Sequence, residues 1–204
     1  MGRSGLARQA SAGVAMLAIV TVVLGFGYPL AVTGIAQLFF RHQANGSLVY
    51  VDGRLEGSAL LGQNFNSAKG SPLPQYFQPR PSDAGTGYDG ADSAASNLGP
   101  SNPALIKLVT ERAAAYRELN DLPENAVVPV DAVTASGSGL DPEISPAAAE
   151  FQVPRIASER HISESETRQL IAKHTLARQF GFLGEPRVRV LELNLDLDAT
   201  HPVK

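Results

Sequence analysis

The 204-residue sequence contains no cysteine. Disulfide frameworks, thiolate zinc sites, iron–sulfur clusters and cysteine nucleophiles are thereby excluded, whichever side of a membrane the chain occupies. Basic runs are missing as well: 17 Lys and Arg lie scattered among 20 Asp and Glu, for a net charge of −3. The electrostatic footprint of a nucleic-acid binder is absent, so nucleic acid is not an expected partner. Neither a GxxxxGK[ST] phosphate loop nor a DKTGT-type aspartate loop occurs. The chain is therefore not expected to hydrolyse ATP itself.

Formal charge is also absent between Arg8 and Arg41, and Val14 to Leu30 is almost wholly apolar. That run approaches the roughly 20 residues needed to span a bilayer core. A cleaved signal peptide starts with similar basic residues, here Arg3 and Arg8. Its apolar region is shorter, however, at about 7 to 15 residues, whereas apolar character here resumes from Ile35 to Phe40. A retained transmembrane helix is the expectation, and cleavage near Gln37 the competing one. With almost no tail to translocate, the economical topology puts the N-terminus inside and the remainder outside. Gly27, Ala31 and Gly34 form a stripe of small residues at helical spacing, and Tyr28 and Pro29 mark an expected kink or interface.

Roughly 160 residues remain after this segment, enough for one domain. The expected fold is α+β: one N-terminal transmembrane helix, then a single soluble domain with a small, mostly antiparallel sheet and about three helices. Residues 1–10 read as a short cytoplasmic tail, 11–40 as the transmembrane helix with its interfacial end, and 41–204 as the extracytoplasmic α+β domain. Ser47 to Asp52 reads as a strand. Pro72 to Pro103 is too rich in Pro, Gly and Ser for regular elements, with Tyr76 and Phe77 as its candidate anchors. Asn102 and Pro103 open a helix reaching about Asn120, and Ala126 to Val133 reads as an edge strand because it contains Pro129. Ser145 and Pro146 open a second helix, which Pro154 kinks or divides. Ser163 and Glu166 form a capping box for a third, whose apolar stripe includes His174 and which Gly181 ends. Val188 to Asp198 alternates like a strand, with a phase change near Val190 and Leu191 that a bulge would absorb.

Candidate chemistry is sparse, and no catalytic or metal-ligating set is assigned. Around Ser136 and Ser138 the spacing of a GxSxG elbow fails, since Ser136 and Thr134 stand where its first glycine is required. A turn with glycines at positive φ is expected there instead. Glu192, Asn194, Asp196 and Asp198 would share one face of the final strand, as the wet side of a sheet or as oxygen ligands along a cation path. His42, His161, His174 and His201 show no metal-ligand spacing, and His174 reads as a packing residue.

Several motifs, taken in order, cover nearly the whole chain: Tyr28-Pro29-Leu30, Gln43 to Leu48, Leu61-Gly62-Gln63, Arg80-Pro81-Ser82, Ser136 to Pro142, Ala148 to Gln152, and Val190 to Asn194. Together they resemble the family of C subunits of the Kdp potassium-transporting P-type ATPases. Three departures stand out from that resemblance: Glu143 where histidine is frequent, Arg189 where asparagine is frequent, and Ala94-Ala95 in place of glycines.

The resemblance implies a non-catalytic, single-pass subunit of the plasma membrane, needed for assembly and coupling of high-affinity, ATP-driven potassium uptake. The implied partners are a channel-like A subunit, an ATP-hydrolysing B subunit, a small F subunit and the lipid bilayer. Capping of the potassium entrance is one implied role. The other is that of a catalytic chaperone that raises the B subunit's affinity for ATP, with Gln152 as the implied nucleotide contact. No cofactor is implied for the chain alone, because ATP and potassium are handled by the complex. The topology argued from charge puts Gln152 outside while ATP is inside; on its own terms, an amide between Phe151 and Val153 reads as a hydrogen-bonding or packing residue.

Overall fold

The computed structural model describes residues 3–203. Residues 1 and 2 of the expected tail therefore lie outside the described residues. Two compact units make up the chain, Met1–Leu48 and Val49–Lys204.

The first unit is a helical rod: α1 (Arg3–Val22), a π-helical turn (Val23–Gly27) and α2 (Tyr28–Phe39), followed by the short α3 (Arg41–Ala44). Gly5–Phe39 forms one continuous helix of 35 residues, none of its most apolar window being buried within the protein. At 1.5 Å per residue it measures about 52 Å, against roughly 30 Å of bilayer hydrocarbon. The expected irregularity at Tyr28 and Pro29 lies one turn earlier. Pro29 has no N–H to donate, and the ladder widens ahead of it so that the Tyr28 N–H reaches Val23 O.

The second unit is α+β. Strands β1 (Leu48–Val51) and β2 (Arg54–Ser58) pair through a tight turn whose Asp52 and Gly53 both take positive φ. The region expected to lack regular elements holds no helix or strand until α4 (Pro103–Leu119), which Asn102 caps by accepting from Ala104 N. Next come β3 (Glu143–Ile144), α5 (Pro146–Glu150), α6 (Val153–Arg160), α7 (Glu164–Lys173), β4 (Thr175–Leu176), β5 (Arg187–Arg189) and α8 (Val190–Thr200). The second expected helix is thus divided, with Pro154 in the first turn of α6. The capping box of α7 forms as expected. Strand β5 lies between β3 and β4, antiparallel to both, pairing Glu143 with Arg189 and Thr175 with Val188. Phe77, Ile156, Val188, Leu193 and Leu197 lie in a core formed with α5 and α7.

Three expectations are corrected. Val188 to Asp198 is not one strand, because β5 ends at Arg189 and α8 follows without a gap. The phase change at Val190 and Leu191 is the start of the helix rather than a bulge. From there the covered positions Val190, Leu191, Leu193, Asn194 and Leu197 follow helical spacing, which Leu and Glu favour. Ala126 to Val133 forms a 3₁₀ turn at Val130–Ala132 instead of an edge strand. Pro129 precedes that turn and cannot donate to a ladder, while the Ala126 carbonyl is taken by Arg117 Nε at 3.0 Å. Helix α7 stops at Lys173 rather than near Gly181, since Thr175 and Leu176 leave to pair with β5.

Candidate functional site

The strap Pro74–Gln78 crosses the second unit with no neighbouring strand, so its peptide groups need other partners. Side chains from α6 and α8 supply them. Asn194 grips Phe77 at both ends of one residue: the Phe77 N–H donates to Oδ1 at 2.9 Å, and Nδ2 donates to the Phe77 carbonyl at 2.9 Å. Gln152, the cap residue of α6, does the same for Gln78, accepting its N–H at 2.7 Å and donating to its carbonyl at 3.2 Å. Each primary amide imitates one rung of an antiparallel ladder.

Arginines complete the set. Arg155 Nη1 donates to the carbonyls of Pro74 and Tyr76, Nη2 to Gln152 Oε1 at 2.7 Å, and Nε to Asn120 Oδ1 at 3.0 Å. Arg160 Nε donates to Gln75 O at 2.9 Å, Nη1 to His201 O at 2.9 Å, and Nη2 to Asp198 Oδ1 at 2.7 Å. Five consecutive carbonyls, from residue 74 to residue 78, are thus held by side chains. Arg160 also lies 4.8 Å from the centre of the Tyr76 ring, whose hydroxyl donates to Asp198 Oδ2 at 3.1 Å. Gln152 is 1 % exposed, Asn194 0 % and Arg155 8 %. Burial lowers the Arg155 pKa to about 10, and all of its hydrogen-bond partners are neutral oxygens. Burial, then the Asp198 charge, pushes the Tyr76 hydroxyl up.

The loop Ser136–Pro142 forms a second set of ties. Its carbonyls accept from Gly62 N at Leu140 (2.9 Å), from Ser82 Oγ at Gly139 (2.6 Å), and from Ala94 N and Ser93 Oγ at Ser138 (3.1 and 2.9 Å). Asp141 pairs with Arg80 at 2.8 Å. Gly139 takes φ +69°, and a Cβ there would stand 2.7 Å from Ala94 O and 2.8 Å from Ala84 N. Only glycine fits this crossing without a shift. No nucleophile arrangement results: Ser136 and Ser138 face each other at 3.4 Å, and Ser138 Oγ accepts the Leu140 N–H.

The expected row of Glu192, Asn194, Asp196 and Asp198 does not exist. On a helix these positions alternate between two sides, Glu192 with Asp196 and Asn194 with Asp198. Each is also engaged within the unit. Glu192 accepts from Arg189 at 3.2 Å, and Asp196 from Lys173 at 2.7 Å and His174 at 2.8 Å. The hydrogen bonds from Lys173 and His174 hold the Asp196 carboxyl below its ordinary pKa. His174 is a satisfied residue at the end of α7, consistent with a packing role. Among the described residues no group of three or more His, Asp or Glu could hold a metal.

Sequence reasoning assigned no role to Arg155 or Arg160 and gave Asn194 the wrong surroundings. Two arginines within an otherwise half-apolar helix, and an asparagine inside a leucine-rich run, are the signals that pointed to buried polar ties.

A family model described as KdpC, the K+-transporting ATPase c chain, matches residues 10–199. The chain is 55 % identical over 191 residues to the potassium-transporting ATPase KdpC subunit of Mycobacterium tuberculosis (strain H37Rv), covering 94 % of this chain and 98 % of that one. It is 51 % identical over 191 residues to the subunit of the same description from Koribacter versatilis, covering 93 % and 94 %. It is 54 % identical over 183 residues to that of Acidobacterium capsulatum, covering 90 % and 94 %.

Proposed function

The chain belongs to the KdpC family of K+-transporting ATPase c chains, and on that premise we propose that it is a non-catalytic, membrane-anchored subunit of a potassium pump. In this reading Gly5–Phe39 packs among the pump's membrane subunits, the N-terminus is cytoplasmic, and the second unit lies outside, over the potassium entrance of the channel-like A subunit. The B and F subunits complete the complex. The observation that carries the reading is the division of labour along the chain. A helix of 35 residues keeps its apolar side chains on its own surface, while the polar motifs are committed to holding the second unit together. A subunit so built supplies position and shape rather than reacting groups.

Gln152 fits the same reading as a tie for the strap. As a nucleotide contact, its amide would have to leave Gln78, Ala148 and Arg155, uncovering the N–H and carbonyl of Gln78, while Ala148 O keeps the Tyr116 hydroxyl. The experiment is a strain whose pump contains only the helix of this chain, truncated after the β1–β2 turn. High-affinity potassium uptake is expected to disappear in it while the other subunits still reach the membrane. Unchanged potassium affinity would remove the capping role. The chain lacks cysteine, so Ser138→Cys, at an exposed turn, reports the side of the second unit. Labelling by a membrane-impermeant thiol reagent in intact, outer-permeabilised cells is expected; protection there with labelling of inverted vesicles would favour the ATP-linked alternative.

A further inference from the structure

The β4–β5 hairpin ends in Phe180-Gly181-Phe182-Leu183-Gly184, a stretch without charge. Phe180 is 86 % exposed, Phe182 70 %, and Leu183 is exposed as well. Most exposed apolar residues of a soluble surface occur singly, so adjacent phenyl rings at one tip call for a partner. The tip is not frayed. Gln179 and Leu183 exchange both backbone hydrogen bonds at 2.9 Å, and Phe180 and Gly181 turn the chain at φ +52° and +82°.

Charges at the base of the hairpin are neutralised within it: Arg178 meets Glu185 at 2.5 Å, and Arg187 meets Glu143 at 2.7 Å. No unpaired charge would have to leave water if the tip entered an apolar medium. Two rings and one leucine offer on the order of 500 Å², below the roughly 800 Å² per partner of a stable protein interface. A convex tip needs no matching pocket when the partner is fluid. The same chain carries the apolar helix, whose end at Phe39 is ten positions from the start of the second unit at Val49. Ten residues reach at most about 35 Å.

We propose that this tip is a second membrane contact, its phenyl rings resting in the interfacial layer of the bilayer that the helix spans. The tip adds an interfacial contact to the one made by the spanning helix. This rests on the membrane helix and not on potassium uptake, so it can fail while the pump reading stands.

The chain contains no tryptophan, so one introduced indole reports its own surroundings. Full-length Phe182→Trp is reconstituted into phosphatidylcholine vesicles without other subunits, with Ile106→Trp on the exposed side of α4 as reference. Phe182→Trp is expected to emit at shorter wavelength than the reference, to be quenched by lipids brominated near the headgroup, and to resist acrylamide. Adding Phe180→Glu is expected to abolish the lipid quenching while circular dichroism stays unchanged. Equal acrylamide access for the two indoles, with no bromolipid quenching, overturns the proposal. It is overturned equally if the Phe182→Trp shift needs the other pump subunits and occurs without bromolipid quenching, which would make the tip a protein contact.

Discussion

In the N-terminal unit every large apolar side chain from Val14 to Phe40 faces outward, whereas in the unit that begins at Val49 the fully covered positions include Gln152, Thr167 and Asn194. The difference follows from where each backbone finds its hydrogen bonds. A helix satisfies its own peptide groups and can present a purely apolar surface to lipid. The second unit includes more than 40 residues between β2 and α4 without helix or strand, and its strap must borrow partners from side chains. Apolar residues decide where the first unit sits, and polar ones decide whether the second holds its shape.

The sharpest way to break this comparison is to remove a polar tie from the second unit. Arg155→Met keeps volume but strands the carbonyl of Pro74 and Oδ1 of Asn120, and leaves Tyr76 O and Gln152 Oε1 with Gln78 as their one remaining donor. A loss of about 4 kcal/mol is expected, from two buried acceptors left without donors at about 1 to 3 kcal/mol each. Urea denaturation of the full chain in detergent micelles measures it; a loss under about 1 kcal/mol would mean that the strap is held by Phe77 packing alone. Gln152→Leu is expected to cost less, about 2 to 3 kcal/mol, because two backbone groups of Gln78 lose their partner. Gly139→Ala tests the other ties: with positive φ and a crowded Cβ, a cost of about 2 kcal/mol is expected, read in the same titration.

A smaller effect concerns Glu143 and Arg189. Glu143 and Arg189 are register partners across β3 and β5, 3.9 Å apart as an ion pair, and Glu143 also meets Arg187 at 2.7 Å. The two side chains therefore face each other, and a double-mutant cycle of Glu143→His and Arg189→Asn should show coupling of about 0.5 to 1 kcal/mol. Additive losses would mean that the contact across β3 and β5 contributes nothing to stability.

Much of this architecture was legible beforehand. The anchor, the caps of α4 and α7, the division at Pro154 and the anchoring of the irregular stretch at Tyr76 and Phe77 all follow from local chemistry that needs no tertiary context. The errors share one cause. Alternating leucines from Leu191 to Leu197 satisfy a strand template, and only the core's demand for Leu193, Asn194 and Leu197 on one side decides for a helix. The partner of Asn194 was not legible for the same reason: Phe77 is 117 positions away.

The smallest expected effect lies on the rim, at Asp196. Its hydrogen bonds from Lys173 and His174 lower its folded pKa relative to an unfolded value of about 3.9. The deprotonated form is therefore favoured by folding, and its contribution is complete above the unfolded pKa and is lost as pH falls through the folded one. Asp196→Asn should flatten the acid limb of a stability profile below about pH 4. The carboxylate bridges the last turn of α7 to α8, near the surface, so the change should be small beside that of Arg155→Met. If the two variants instead matched, polar burial would have no special weight in the second unit, and the contrast with the apolar helix would reduce to one of composition.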